Sequence, residues 1–203
     1  MPTASPARTR RSGVDVATEL LDAAEEEFAA HGFAGASTHR IAERAEAHQP
    51  QINYHFGSKE ELWRSVVDRL FSELDAAIGA DAGPPSQLLG DVLIAFVRFS
   101  AARPELNRII NLEATSPTER LAWLVDAHLA GRRAQVGALW DLVCAETGDQ
   151  SLSSDDVWDL MTSFGALHFA NAPMIDMLSD DGIDQADEHA RKLLRLLRIE
   201  GRL

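Results

Sequence analysis

"AEAHQPQINYHFGSKEEL", residues 45–62, is the stretch whose reading decides the fold of this chain. Pro50 suits the first turn of a helix, where its missing N–H costs no hydrogen bond. Gly57 suits a helix stop. The spacing therefore predicts a short helix over "QPQINYHF", with Ile52 and Phe56 as its buried side and Gln49, Gln51, Asn53 and Tyr54 turned outward. Upstream, Ser37 is an N-cap for "THRIAERA", a helix of barely two turns in which Ile41, Ala42 and Ala45 face a core. Before that, Val16, Leu20, Ala24 and Phe28 recur every fourth residue up to His31-Gly32, the pattern of an amphipathic helix with a C-terminal stop. Downstream, Ser58 and Glu61 make a capping box ahead of Leu62, Val66, Leu70 and Leu74, which predicts a helix over 58–78.

The Gly- and Pro-rich "GADAGPPS" then breaks the chain, and a domain seam is expected near it. Beyond it the apolar spacing predicts helices over 87–102, 104–112, 117–146 with a bend at Gly131, 155–170, and 183–199, with Pro173 interrupting between the last two. There is no strand pattern and no internal repeat. The expected fold is all-α, with about nine helices: an N-terminal three-helix unit over residues 14–62, a linking helix, and a larger C-terminal helical domain over 79–203.

Composition narrows the function. With 203 residues, 45% hydrophobic, the chain can bury one generous core or two small ones. No run of eighteen apolar residues is present, and "MPTASPARTRRSG" has no apolar segment behind its arginines, so neither a membrane span nor a secretion signal is expected. A cytoplasmic protein follows as the expectation. Cys144, the single cysteine, has no disulfide or zinc-site partner spacing and reads as core filler. No metal or cofactor is expected. His-Glu-x-x-His, Gly-x-Ser-x-Gly, P-loop and Rossmann patterns are all missing, which argues against an enzyme.

The net charge of -13 and pI near 4.9 speak against a polyanion partner until the distribution is considered. Arg8, Arg10 and Arg11 lie in an arm over residues 1–13, and Arg40, Arg44 and Lys59 surround the opening stretch with Glu43 and Glu46 against them. A local basic surface can still bind phosphates provided the acidic faces, that of Glu25, Glu26 and Glu27 among them, point away. Two short helices joined by a tight turn, the second amide-rich, have the form of a DNA-reading helix-turn-helix. Gln and Asn carry a donor and an acceptor on one plane and can pair with adenine; Tyr, His, Ser, Thr and Lys suit phosphate oxygens. A solvated helix face of the same composition is the competing reading. The basic arm, likewise, is either a minor-groove contact or a disordered tail.

Residues 20–67 resemble the N-terminal domain of the tetracycline-repressor (TetR) family of bacterial transcription regulators. The matching residues are Phe28, Gly32-Phe33, Ser37-Thr38, Ile41-Ala42, Tyr54-His55-Phe56, Lys59-Glu60 and Leu62. The resemblance implies a helix-turn-helix that binds a palindromic double-stranded DNA operator as a homodimer, with a small-molecule effector that releases it. It places Ser37, Thr38 and His39 at backbone or bases, Gln49, Gln51 and Asn53 in the groove, and Tyr54, His55 and Lys59 on phosphates. Three positions depart from the family pattern: Glu46 stands where the turn usually has glycine, His48 where Ser or Thr usually caps, and Asn53 where an aromatic is usual. His48 is a candidate DNA contact or a cap. An activator, or a helical dimer without DNA, are the alternative functions.

Over residues 80–203 the resemblance is looser, resting on the helix pattern and on "RPELNRIINLEATSPTERLAWLV". It implies an effector site and a dimer seam there. For an apolar or amphipathic effector the candidates are the polar residues on apolar faces, Arg98, Asn111, His128 and His168, with Phe96, Phe99, Trp123, Trp140, Met161 and Phe164 as walls. Each of these is also an ordinary core residue in the competing reading, and Arg98 is the one expected to pair with an acid. For the seam the candidates are Trp158, Thr162, Gly165 and Phe169 on one helix and Ala186, Ala190, Leu193 and Leu197 on the last, with intrachain core as the alternative.

Overall fold

The computed structural model describes residues 13–79, 82–178 and 185–199. The basic arm and the expected start of the last helix at Ile183 lie outside the described residues. Among the described residues the regular structure is entirely helical. The helices are α1 (Gly13–Gly35), α2 (Thr38–Arg44), α3 (Pro50–Phe56), α4 (Lys59–Ile78), α5 (Pro85–Ala102), α6 (Pro104–Glu113), α7 (residues 119–147), α8 (residues 154–170), α9 (Ala172–Leu178) and α10 (Ala186–Leu197). They form two compact units, divided between Asp68 and Arg69. The division falls inside α4, ahead of the Gly- and Pro-rich break, because α4 has buried residues along its whole length and both units take apolar side chains from it.

In the first unit, α1 buries Val16, Leu20, Ala24 and Phe28, the residues of its four-residue repeat. Burial of a side chain such as Phe28 stabilises the fold by roughly 1.5–3 kcal/mol. Phe33 stacks on Phe28 at 6.2 Å and meets Trp63 edge-on at 6.4 Å. That geometry is reached because Gly32 leaves the helix at φ 63 before the chain turns toward α2. Ile41 and Ala42 from α2, Ile52 from α3, and Leu62, Trp63, Val66 and Val67 from α4 complete the core. Phe56, expected to be buried beside Ile52, is only half-buried, since a two-turn helix ending at Gly57 has room for one fully covered side chain.

The turn between α2 and α3 is a Schellman motif. Ala47 N–H donates to the Ala42 carbonyl at 2.8 Å and Glu46 N–H to the Glu43 carbonyl at 3.1 Å, with Glu46 itself at φ 47. A non-glycine residue there carries strain of roughly 1–2 kcal/mol. Glu46→Gly is therefore expected to stabilise the protein by about 1 kcal/mol, read as a higher urea midpoint at unchanged slope. A lower midpoint would mean that the glutamate side chain contributes more than the strain removes.

In the second unit, α5 is the central helix, packed against α7, α8 and α10. It buries Leu89, Leu93, Ile94, Phe96, Val97 and Phe99. Helix α7 begins at Glu119 behind a Thr118 cap and is interrupted by a π-helical turn at Val125–Leu129. The irregularity is this turn, ahead of the bend expected at Gly131. Helix α8 opens on a Ser153–Asp156 capping box and has a second π turn at Leu160–Phe164. Pro173 starts a further helix, α9, in place of the expected interruption: in a first turn its missing N–H costs nothing. Cys144 is half-buried, and burial pushes its thiol above the ordinary value.

Candidate nucleic-acid interface and effector cavity

The outer side of α2 and α3 is built from short polar contacts. Ser37 caps α2 by accepting the Arg40 N–H at 3.4 Å. Gln49 Nε2 donates to Thr38 Oγ1 at 2.9 Å and so ties the start of α3 to the start of α2. His48 does not cap through its ring; its own N–H donates to Gln51 Oε1 at 2.8 Å, while its carbonyl accepts the Gln51 N–H at 2.8 Å. Gln51 is thus a back-reaching cap of its own helix. His39, His48, Gln49 and Asn53 are exposed, and Tyr54 is 84% exposed with its ring set edge-on to His55 at 4.9 Å. Ser37, Thr38, Gln51, His55 and Lys59 are half-buried. At 1.5 Å per residue α3 is roughly 10 Å long, short enough for its start to enter a major groove about 12 Å wide.

The cations around this face are differently disposed from the expectation. Arg40 pairs with Glu27 through Nε, at 2.8 Å, and Nη2, and Arg44 pairs with Glu26. Lys59 Nζ donates to the Ala36 carbonyl at 2.7 Å and lies 4.6 Å from the centre of the Phe33 ring. The glutamates do not point away: Glu25 and Glu27 are buried, and Glu27 accepts the Ser37 N–H at 2.9 Å as well. Burial by itself raises the Glu27 carboxyl, but the Arg40 guanidinium, the Ser37 N–H and nearby His31 outweigh it and hold the group below its ordinary 4.5. Residues 13–68 carry four Lys or Arg against eleven Asp or Glu. The unit is thus net acidic, and the exposed polar groups of α3 and its N-cap are amides and a phenol.

The second unit contains a cavity of about 530 Å³. Its wall comes from the second part of α4 (Phe71, Leu74, Asp75, Ile78), from α5 (Val92, Phe96), α6 (Leu106, Asn107, Ile110, Asn111), α7 (Leu129, Arg132, Gln135, Val136, Leu139) and α8 (Trp158, Met161, Thr162, Leu167). Of the expected effector residues, Phe96, Asn111 and Met161 line it. The others do not. Arg98 Nε donates to Asp187 at 2.6 Å, which holds that carboxyl below its ordinary value. Phe99 is core, and Trp140 Nε1 donates to the Leu152 carbonyl at 3.0 Å. His128 stacks on Phe71 at 4.3 Å, with Trp123 edge-on to it at 5.3 Å. Phe164 and His168 both stack on His189, at 4.3 and 4.2 Å, and His189 Nε2 donates to the Phe164 carbonyl at 2.7 Å.

The expected seam residues are also redistributed. Trp158 and Thr162 line the cavity. Gly165, Phe169, Ala190, Leu193 and Leu197 are buried within the chain, and a Cβ on Gly165 would lie 3.3 Å from Leu193 and 3.4 Å from Val97. Close approach of α8 to α5 and α10 is what the small residues serve. Ala186 is half-buried. The exposed large apolar side chains in this region are Met174, Met177, Leu178 and Leu196. Apolar spacing alone does not say which of two neighbours a helix face meets, so Phe71, Asp75, Arg132 and Val136 carry no sequence signal as cavity residues.

Comparison with known proteins agrees with this layout. Residues 20–66 match the family model described as bacterial regulatory proteins, tetR family. The HTH-type transcriptional repressor SCO4008 of Streptomyces coelicolor is 35% identical over 91 residues, 45% of this chain and 45% of that protein. The HTH-type transcriptional repressor NicS of Pseudomonas putida is 31% identical over 116 residues, 52% of this chain and 54% of that one. The chain spans about half the length of the curated relatives it matches. The crystal structure of the transcriptional regulator FadR from Bacillus subtilis, in complex with stearoyl-CoA, shares the fold at a TM-score of 0.64 and 18% identity, covering 89% of this chain and 96% of that one. Among the described residues no helix is long and apolar enough to cross a membrane.

Proposed function

We propose, from the match of residues 20–66 to the tetR family of bacterial regulatory proteins, that this chain is a one-component transcriptional repressor, binding a palindromic operator as a homodimer and released by a small molecule. The observation that carries the reading is the exposed amide face of α3, seated on α2 by the Gln49–Thr38 hydrogen bond inside the matched segment. Gln49 and Asn53 read bases, Gln51 holds the start of α3 by accepting the His48 N–H, and Thr38, His39, His48, Tyr54 and His55 position the helix on the DNA backbone. Lys59 acts indirectly, by fixing the start of α4 to the Ala36 carbonyl. Repression, the activity in the names of SCO4008 and NicS, is the proposed direction.

The effector enters the cavity of the second unit. Its binding favours one of two conformations of the dimer and so shifts DNA affinity by the difference in its affinity for the two. Pairing of two copies follows from the operator: one two-turn helix reads few base pairs, and a two-fold axis supplies a second copy. Exposed Met177 and Leu196 are the apolar residues offered for that contact.

The test is fluorescence anisotropy with DNA selected from a randomised pool and with fragments flanking the gene itself. A recovered palindrome bound at least about a thousandfold tighter than random duplex is the expected outcome. No sequence preference, or a monomer by sedimentation at operator-binding concentrations, would sink the proposal.

A further inference from the structure

We infer that the cavity takes an uncharged, largely apolar molecule and discriminates against carboxylates and, more strongly, against ammonium ions; this rests on the reading of that cavity as the effector site. Among the described residues lining it, Asp75 and Arg132 are the charged ones, and they are bound to each other. Arg132 Nη2 donates to both carboxylate oxygens, at 2.7 and 2.6 Å, and Nη1 donates to the His128 carbonyl at 2.7 Å. The guanidinium also lies over the Phe71 ring, 4.5 Å from its centre. Three hydrogen bonds and an aromatic face therefore hold it and compensate its charge, and its buried Nε, which has no hydrogen-bond partner, is left to a neutral acceptor such as a ligand carbonyl.

An anionic ligand would have to draw Arg132 from Asp75, and a cationic one would have to draw Asp75 from Arg132. Either exchange leaves an abandoned charge beside an apolar wall. The two costs differ. The Asp75 side chain is 60% exposed and is rehydrated when abandoned, whereas that of Arg132 is 22% exposed and is not. Cations are thus the more strongly excluded. An uncharged ligand disturbs neither group, and the remaining polar lining, Asn107, Asn111, Gln135 and Thr162, consists of neutral donors and acceptors suited to a carbonyl, hydroxyl or amide.

The test uses the full chain and three probes sharing one rigid cage: adamantane carboxamide, adamantane carboxylate and adamantyl ammonium. Binding is followed by thermal shift and by tryptophan fluorescence, Trp158 being part of the wall. The carboxamide is expected to bind at least about tenfold tighter than the carboxylate, and the ammonium weakest of the three. Val136→Trp, which fills the cavity, should abolish binding of all; Met161→Trp serves if that variant does not fold. Asp75→Asn, at a mostly exposed side chain, should raise carboxylate affinity about tenfold by releasing Arg132. Either ion matching the carboxamide on the unmodified chain, or an unchanged order in Asp75→Asn, overturns the inference while leaving the cavity reading intact. No binding by any probe, or binding indifferent to both cavity-filling variants, overturns the cavity reading itself and the inference with it.

Discussion

Glu27→Ala should cost the first unit about 2 kcal/mol of stability, the penalty for leaving a part-buried N–H and a paired guanidinium without their acceptor. The carboxylate gathers the Ser37 N–H and the Arg40 side chain, and Arg40 Nη2 reaches on to the Gly35 carbonyl at 2.9 Å, so one side chain of α1 seats the start of α2. Thr38 and His39 stand on that start. The figure lies below that of a fully buried pair because half of the Arg40 side chain meets solvent. Chemical unfolding would show the loss as a lower midpoint, and DNA affinity should fall with it. An unchanged midpoint would mean that water replaces the carboxylate at no cost.

The same network fixes a pH dependence. Glu27 is held below its ordinary 4.5 in the folded chain, so its contribution is fully present above that value and is lost as pH falls through the lower folded value. Glu27→Gln should therefore flatten the acid limb of stability below about pH 4.5 while leaving its shape at neutral pH unaltered.

Gln49→Ala combined with Asn53→Ala should weaken operator binding by about 3 kcal/mol, roughly a hundredfold, with a stability loss of no more than about 1 kcal/mol, since both side chains are exposed and the Gln49–Thr38 hydrogen bond is the one internal contact given up. The loss should fall on particular base pairs: random duplex should bind the variant about as well as it binds the parent chain. Tyr54→Phe gives the contrast. Removing the hydroxyl proposed to contact phosphate is expected to weaken all sequences alike, by a factor of about ten or less. Equal losses on operator and random DNA for the double variant would move Gln49 and Asn53 from reading bases to mere positioning.

Much of the first unit is legible in the amino-acid sequence. Ser37, Pro50, Gly57 and Ser58 are punctuation whose effect is local: a cap, a first-turn proline, a positive φ of 81 at Gly57 and a second cap. The repeat of Val16, Leu20, Ala24 and Phe28 sets the buried face of α1 in the same local way. Glu46 is visible as a misfit in the turn, and the left-handed backbone it adopts follows from turn geometry rather than from its side chain.

The ion pairs are not legible. Glu26 and Glu27 are remote in sequence from Arg44 and Arg40, and nothing local distinguishes an acid facing water from one that turns inward to staple α2.

In the second unit the limit is geometric. Helical periodicity states which residues share a face, and it shows that α8 has two apolar sides. Which side meets α5, which borders the cavity and which meets another molecule depends on how helices pack in three dimensions. Gly165 therefore resembles a seam residue in the sequence when it in fact admits Leu193 and Val97, and Trp158 resembles another when it borders the cavity. The π turns at Val125–Leu129 and Leu160–Phe164 shift the register of the faces after them, a rotation no periodic pattern announces. Local backbone chemistry, being set by neighbours in the chain, was determined by sequence alone; the partner of each buried face, being set by neighbours in space, was decided only by the tertiary structure.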